Sequence, residues 1–407
     1  MPMNDMSFEQ VSTVLNAINQ QATGATSIAA TDTASFIAQA QAVLKTGYDP
    51  VCAAISQVLS RTIFSIRPYS SKFRGLMVSA QRYGNHVRKI NWGDKPLVDD
   101  DRIQIVDGVP VPQQIPNVPN VLQTNFYGES VFQHSYTLFK DQLDVAFSGP
   151  DEFQRFIAGT VQNANDVLEQ SRENLARMLL ANYIGAKVTA VSASLETADS
   201  VVHLLTEYNT QSGQTLTATT VYQPANFVPF MRWVYSRIAA ISARMTERSY
   251  IYHTNVTAWG TSPGVDKSIT RHTPVNMQRV YLYAPARFQI EAQVLSDTFH
   301  DNYLRFADNE TVNFWQSIET PDQVTVRPSW LAADGTVATL AGTDPDVEVA
   351  PIFGLIIDEE TLGWTPVNQW QTPAPFNARA GFTTVWMHET QRHWTDMTEN
   401  GCILLLD

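Results

Sequence analysis

GPDEFQRFIAGTVQNANDVLEQSRENLARMLLANYIG, residues 149–185, decides the fold. After Pro150 it runs without a proline, and its apolar residues recur at Phe153, Phe156, Ile157, Val161, Val167, Leu168, Leu175, Met178, Leu179 and Tyr183. That is one stripe at the 3.6-residue period, so the stretch predicts a single long amphipathic helix. Asp151 and Glu152 complement the positive end of its dipole, and Gly185 is expected to take the left-handed position that ends it. Gly159 weakens it without interrupting it. At 1.5 Å per residue the helix would be on the order of 50 Å long, several times an ordinary one. The stripe is wider than a coiled-coil seam and lacks sustained heptads. A spine across a flat domain fits the pattern better.

Upstream, Phe132, Tyr136 and Leu138 alternate with Gln133, Ser135 and Thr137, which predicts a half-buried strand over Val131–Phe139. Before it, Trp92 to Asn125 is extended and punctuated by Pro96, Pro110, Pro112, Pro116 and Pro119. Pieces such as Ile103-Gln104-Ile105 suggest strands of a hairpin-like excursion, and the prolines keep it out of the centre of a wide sheet. Such an arm cannot bury itself; it needs a surface to lie on. Further back, Arg61, Arg67, Lys72, Arg74, Arg82, Arg88 and Lys89 form a basic stretch with no acidic residue, followed by Asp99-Asp100-Asp101. The first sixty residues read as helices: one from Ser7 carrying Phe8, Val11, Val14, Leu15 and Ile18, a polar connector over Gln20–Thr33, then Ala34–Thr46 and Pro50–Ser60.

Downstream, a polar stretch (Ser192–Thr220) leads to a helix over Pro224–Glu247. Its expected inward face is Phe227, Phe230, Met231, Val234, Tyr235, Ile238, Ile241 and Met245. Val280–Tyr283 is a predicted strand and Ala284–Leu295 a helix. Phe314–Ile318, Val324–Val326 and Ile352–Ile357 are predicted strands, with a surface loop over Asp334–Asp346. Phe382–Met397 reads as a long strand, and Asn400-Gly401 as a hairpin turn that folds Cys402–Leu406 back upon it.

The 407 residues suffice for two or three packed units. The net charge is −13, or −20 once the seven basic charges of residues 61–89 are subtracted, and only 16% of residues are charged. A low charged fraction with 9 Trp, 14 Tyr and 19 Phe suits a protein that buries surface against partners as well as it suits a large monomer. The start has neither the basic nor the apolar region of a secretory signal, and no apolar run reaches the length of a membrane span. Cys52 and Cys402 cannot form a disulfide framework and are expected to be reduced core residues.

No chemistry emerges. In His388-Glu-Thr-Gln-Arg-His393 the histidines are five apart, whereas a zinc-binding helix needs four; two strand histidines are expected instead. His86, His134, His203, His253, His272 and His300 are isolated. Phosphate-loop, dinucleotide and nucleophile-elbow motifs are missing, so no catalytic, cofactor or metal residues are assigned. The basic stretch, interleaved with Phe64, Tyr69, Phe73, Tyr83 and Trp92, would suit a single nucleic-acid strand. The acidity of the whole favours contact with acidic faces of neighbouring copies.

The order of parts resembles the HK97-type capsid fold, closest in motif to the major capsid proteins of phi29-like short-tailed bacteriophages. The stretches that carry the likeness are Tyr48-Asp-Pro-Val51 with Ile55–Phe64, the helix from Phe153 to Tyr183, and Phe382-Thr-Thr-Val-Trp-Met-His388 through Leu406. The resemblance implies an α+β fold: a helical N-terminal arm (1–64), P-domain entry with an extended β E-loop (65–148, the loop about 82–124), and the spine helix and connector (149–219). An A-domain (220–343) and its return strand with a C-terminal P-domain β-hairpin (344–407) complete it. It further implies a non-enzymatic shell protein, self-assembling into hexamers and pentamers of an icosahedral head around double-stranded DNA that it contacts without reading sequence. The arm would clasp a neighbour or change shape on maturation. Portal, scaffolding, decoration or tail proteins are further partners, no membrane is involved, and the virion shell, assembled in the bacterial cytoplasm, is its location. Some relatives cross-link a lysine to an asparagine; nothing around Lys89 or Lys95 suggests an activated amine. Where relatives carry a C-terminal immunoglobulin-like domain, none is expected here. An encapsulin-like compartment shares the fold, and an enzyme with a dispersed active site is the remaining alternative.

Overall fold

The computed structural model describes residues 8–23, 33–44, 73–77, 86–92, 100–103, 105–111, 121–256, 270–285 and 309–407. The helices are α1 (Phe8–Thr23), α2 (Thr33–Leu44), α3 (Lys140–Ala146), α4 (Pro150–Ser192), α5 (Leu204–Ser212) and α6 (Pro224–Met245). The early strands are β1 (Val87–Trp92), β2 (Val121–Phe126), β3 (Gly128–Phe139), β4 (Val201–His203), β5 (Gln278–Tyr283) and β6 (Asn309–Val312). Then come β7 (Val324–Val326), β8 (Ser329–Leu331), β9 (Val337–Thr339) and β10 (Val347–Val349). The last four are β11 (Ile352–Asp358), β12 (Leu362–Pro373), β13 (Phe382–Thr395) and β14 (Gly401–Leu405). The chain divides into two units: 1–84, 129–175 and 365–392 form the first, and 85–128, 176–364 and 393–407 the second.

The first unit is built where amphipathic faces meet. The helical spacing of Val11, Val14, Leu15 and Ile18 in α1 presents one apolar face, which closes over Phe36, Ala40 and Val43 of α2, Phe147, Phe153 and Val385. Phe153 stacks on Phe147 at 5.2 Å and meets Phe36 edge-on at 6.0 Å. Strands β12, β13 and β3 are ordered β12-β13-β3. The alternation of β3 is as expected: Tyr136 and Leu138 pack inward, while Thr137 bonds Thr384 at 3.3 Å and Phe139 meets Phe382 at 5.9 Å on the other face.

Helix α4 has 43 residues, about 65 Å of rise, and outruns its predicted end. Gly185 is not a left-handed terminator: it lies inside the helix, and a Cβ there would come within 2.5 Å of Val326 Cγ1. A close crossing, not a turn, requires the glycine. Met178, expected inward, is half exposed because it shares an outer line with Asn174, four residues back. From Ala176 onward the helix is buried on most sides, including Leu179, Leu180, Tyr183, Ile184 and Ala190.

The second unit centres on a five-stranded sheet ordered β4-β14-β11-β5-β6. Its middle strand β11 is buried at every residue, which suits an unbroken apolar run rather than an alternating one. β11 pairs antiparallel with both β14 and β5, while β4 and β6 add in parallel at the edges. Phe227, Phe230, Met231, Val234, Ile238, Ile241 and Met245 of α6 join Leu204, Leu205 and Tyr208 of α5 in one cluster with Val280, Leu282, Ile356, Cys402 and Leu404. Tyr235 is only half-buried.

Several expectations are corrected. The C-terminal β-hairpin assigned to residues 344–407 does not form: Gly401–Leu405 pairs with β11 and β4, and β13 lies in another sheet. Gly401 serves packing instead, since a Cβ there would overlap Tyr183 Oη. Phe314–Ile318 is irregular, with Trp315 buried and its indole N–H donating to the Ile352 carbonyl at 3.3 Å. The Asp334–Asp346 loop holds β9, joined to β8 through Gly335 at φ +81°. The polar Ser192–Thr220 stretch contains β4 and α5. The expected helices over Pro50–Ser60 and beyond Tyr283, most of the basic stretch, Cys52 and Lys95 lie outside the described residues.

Candidate functional site: assembly surfaces

Neither of the two spaced histidines is set for metal chemistry. Both lie on β13: His388 stacks on Trp370 at 3.9 Å and 15°, whereas His393 sits against Gly128, where burial holds its imidazole below the usual range. No group of His, Cys, Asp or Glu among the described residues is arranged to hold a metal ion. His86 tilts against Tyr127, and His203 Nδ1 lies 2.7 Å from Asp407 Oδ1. His253 is buried, and burial lowers its pKa.

Several side chains that carry charge inside the protein are paired. In the first unit Arg172 of α4 grips Glu389, 1% exposed, with two bonds of 3.1 Å, and also reaches Glu169 at 2.7 Å. In the second, Lys187 and Glu196 are fully buried 2.8 Å apart. Lys187 also donates to the Tyr252 carbonyl at 2.6 Å, and Thr254 donates to Glu196 at 2.6 Å. Cys402 is buried and its thiol is pushed up to about 12 by burial.

The predicted excursion has a paired root. β1 and β2 run antiparallel from Val87↔Phe126 to Trp92↔Val121. Beyond them Ile103 is 84% exposed, and Ile105, Val106, Val109 and Val111 are exposed as well. Five exposed apolar side chains within so short a stretch of sequence mark an interaction surface more than single scattered ones would. At the root, Lys89 Nζ lies 2.6 Å from Glu399, 3.0 Å from Asp396 and 3.1 Å from Glu360. Arg271 reaches Glu399 at 3.2 Å. Burial alone would lower the Lys89 pKa, but the three carboxylates outweigh it and raise it. Glu399 is raised by burial, with Lys89 and Arg271 opposing. Lys89 is therefore a held ammonium, the opposite of an activated amine. Sequence reasoning missed this cluster because no local pattern links residue 89 to residues 360, 396 and 399.

A two-unit α+β protein with a long spine helix, a three-stranded sheet, a five-stranded domain and an exposed β ribbon has the HK97-type capsid architecture. The model for the Phi29-like phage major capsid protein family matches residues 113–405, well over half the chain. The chain belongs to that family and is a capsid shell protein of a tailed bacteriophage. Among solved structures it is similar to one described as the capsid structure of Staphylococcus phage Andhra. The TM-score is 0.54 at 10% identity, over 85% of this chain and 87% of that one. A chain in a structure of the head fiber and inner core protein gp22 of native bacteriophage P68 gives a TM-score of 0.52 at 11% identity, with 85% and 87% coverage. At such identities these likenesses speak for the fold. A search of curated protein sequences finds no significant match.

Proposed function

We propose that this chain is the building tile of an icosahedral head, assembling through its excursion into hexamers and pentamers around double-stranded DNA, without catalytic activity. The exposed apolar run from Ile103 to Val111 carries the reading. Fully burying one valine or isoleucine contributes roughly 1.5–3 kcal/mol, so five partly buried ones supply on the order of 5–10 kcal/mol gross per subunit. The ribbon over residues 82–124 is the E-loop, lying on an adjacent subunit. The spine up to Leu175 belongs to the P-domain, while the rest of the spine and the connector join residues 220–343 in the second unit, the A-domain around the hexamer or pentamer centre. Assembly takes place in the bacterial cytoplasm, with portal, scaffolding, decoration or tail proteins as further partners and DNA met without sequence reading.

α1 and α2 pack within the first unit's own core, which favours a subunit-bound arm over residues 8–23 and 33–44 rather than a free clasp. The test is the I105D/V106D variant, expressed and imaged by electron microscopy. It should keep the far-UV circular dichroism of the parent and yield no closed shells. Closed shells at parental yield would overturn the reading.

A further inference from the structure

The E-loop root carries an ion cluster on one strand and borders a cavity on the other. Beneath β2 lies a cavity of about 360 Å³ lined by, among others, Phe126, Asn182, Trp330, Val337, Asp396 and Met397. A strand wall standing over such a space has forfeited part of the dispersion contact that would otherwise fix it. On β1 the situation is the reverse. Lys89 enters a socket whose shape is set without it. Residues 396–400 are buried; Asp396 Oδ1 accepts from the Thr398 backbone N–H at 2.9 Å and from its hydroxyl at 2.6 Å. Arg271 Nε donates to the Thr398 carbonyl at 3.0 Å while its Nη2 pairs with Glu399. A preorganised acceptor loses little freedom when the ammonium arrives.

We propose that Lys89 is a positioning residue for assembly, a plug that locks the E-loop root into the 396–399 socket and so sets the direction in which the arm leaves the subunit. This rests on the E-loop reading above. The charges explain why the lock is all-or-none. Glu360, Asp396 and Glu399 face Lys89 and Arg271, three negative against two positive. Withdrawing Lys89 would leave two buried carboxylates, Asp396 at 2% and Glu399 at 8% side-chain exposure, with Arg271 still paired to Glu399 at 3.2 Å. Intermediate positions of the root keep that penalty without relieving it. Adaptation of the arm to different neighbours therefore does not take place at the root.

The experiment compares full-length wild type, Lys89→Met, Lys89→Arg and Glu360→Gln. Hydrogen exchange is measured on unassembled subunits, followed by electron microscopy of the assembled products. Lys89→Met should raise exchange at the ladder amides of residues 87–92 and 121–126 by tenfold or more, leave β11 and β14 amides unchanged, and give misshapen or heterogeneous shells. Lys89→Arg should restore both readouts. Glu360 is half exposed, so Glu360→Gln leaves the fold intact and should raise ladder exchange two- to fivefold even if Lys89→Met does not fold. Ladder exchange within twofold of wild type in Lys89→Met, or in Glu360→Gln where the former does not fold, would overturn the latch. Uniform shells from a Lys89→Met subunit with a loosened root would overturn its positioning role. Neither result touches the E-loop reading, which fails only if the Ile105/Val106 variant assembles.

Discussion

Gly185→Ala offers the sharpest test of how the spine helix is seated. Inside a helix alanine is favoured over glycine by about 1 kcal/mol. Against that, the new methyl would stand 2.5 Å from Val326 Cγ1, more than 1 Å inside the roughly 3.5–4.0 Å carbon contact distance. Overpacking of this kind costs about 1–3 kcal/mol, so the net change is about 0–2 kcal/mol destabilising. The neighbour responsible is a single half-buried valine. Val326→Ala removes the clash at a cost of about 1 kcal/mol, because a half-buried residue loses less than a core one.

The sign of the alanine effect should therefore reverse with background. In wild type Gly185→Ala lowers the urea midpoint of the unassembled subunit; in Val326→Ala it raises it, with a coupling of about 1–3 kcal/mol between the sites. Midpoints at unchanged m-value are the measurement. If Gly185 were instead the left-handed end of a shorter helix, alanine would destabilise by about 1 kcal/mol in both backgrounds. Equal effects in the two backgrounds would refute the helix crossing.

Three further outcomes follow from buried groups of the second unit. Lys187→Met should cost about 3–5 kcal/mol because it strands Glu196, whereas the double variant K187M/E196L should be neutral or stabilising in the same urea titration; equal losses in both would refute pairing. Burial lowers the pKa of His253 in the folded state, so the unfolded chain binds its proton first. Its contribution is whole above about pH 6.5 and is lost as pH falls below that; His253→Gln should flatten the slope of stability between pH 6.5 and 5. Cys402, its thiol pushed up to about 12, should resist iodoacetamide at pH 8 in the native subunit and react once urea unfolds it.

The elements most legible in the sequence were those whose burial is decided locally. The α4 stripe, the α6 face from Phe227 to Met245 and the alternation of β3 each present a period that only one kind of element can bury. Legibility ended where a distant segment decides. Asn400-Gly401 carries a hairpin signal, yet Cys402-Ile-Leu-Leu-Leu406 is an unbroken apolar run, and all five residues of β14 are buried. Such a strand belongs in the interior of a sheet with both faces covered; β11 and β4 flank it on its two edges, which a two-stranded hairpin cannot offer. Trp315 imitates a strand for a similar reason: it lies in an aromatic stretch of strand-forming composition, but its indole is held by the Ile352 carbonyl, far along the chain. The ion cluster at the ribbon root left no trace in local pattern, because its members share a location and not a neighbourhood in sequence.

With only 16% of its residues charged, the chain nevertheless buries Glu173, Arg177, Lys187, Glu196, Glu389, Asp396 and Glu399. Stability does not explain this, since apolar residues of similar volume commonly serve a core as well or better. Geometry does. An apolar contact tolerates a small slide, whereas Arg172 forked on Glu389, or Lys89 among three carboxylates, is satisfied in one arrangement and heavily penalised in the next. For a monomer such tolerance is harmless. For a tile repeated around rings, as proposed above, an angular error at the root of the arm would be inherited by every neighbour. Arg172 and Glu389 join the long helix to its sheet, and Lys89 with Asp396 and Glu399 stands at the root of the ribbon, two places at which such an error would begin.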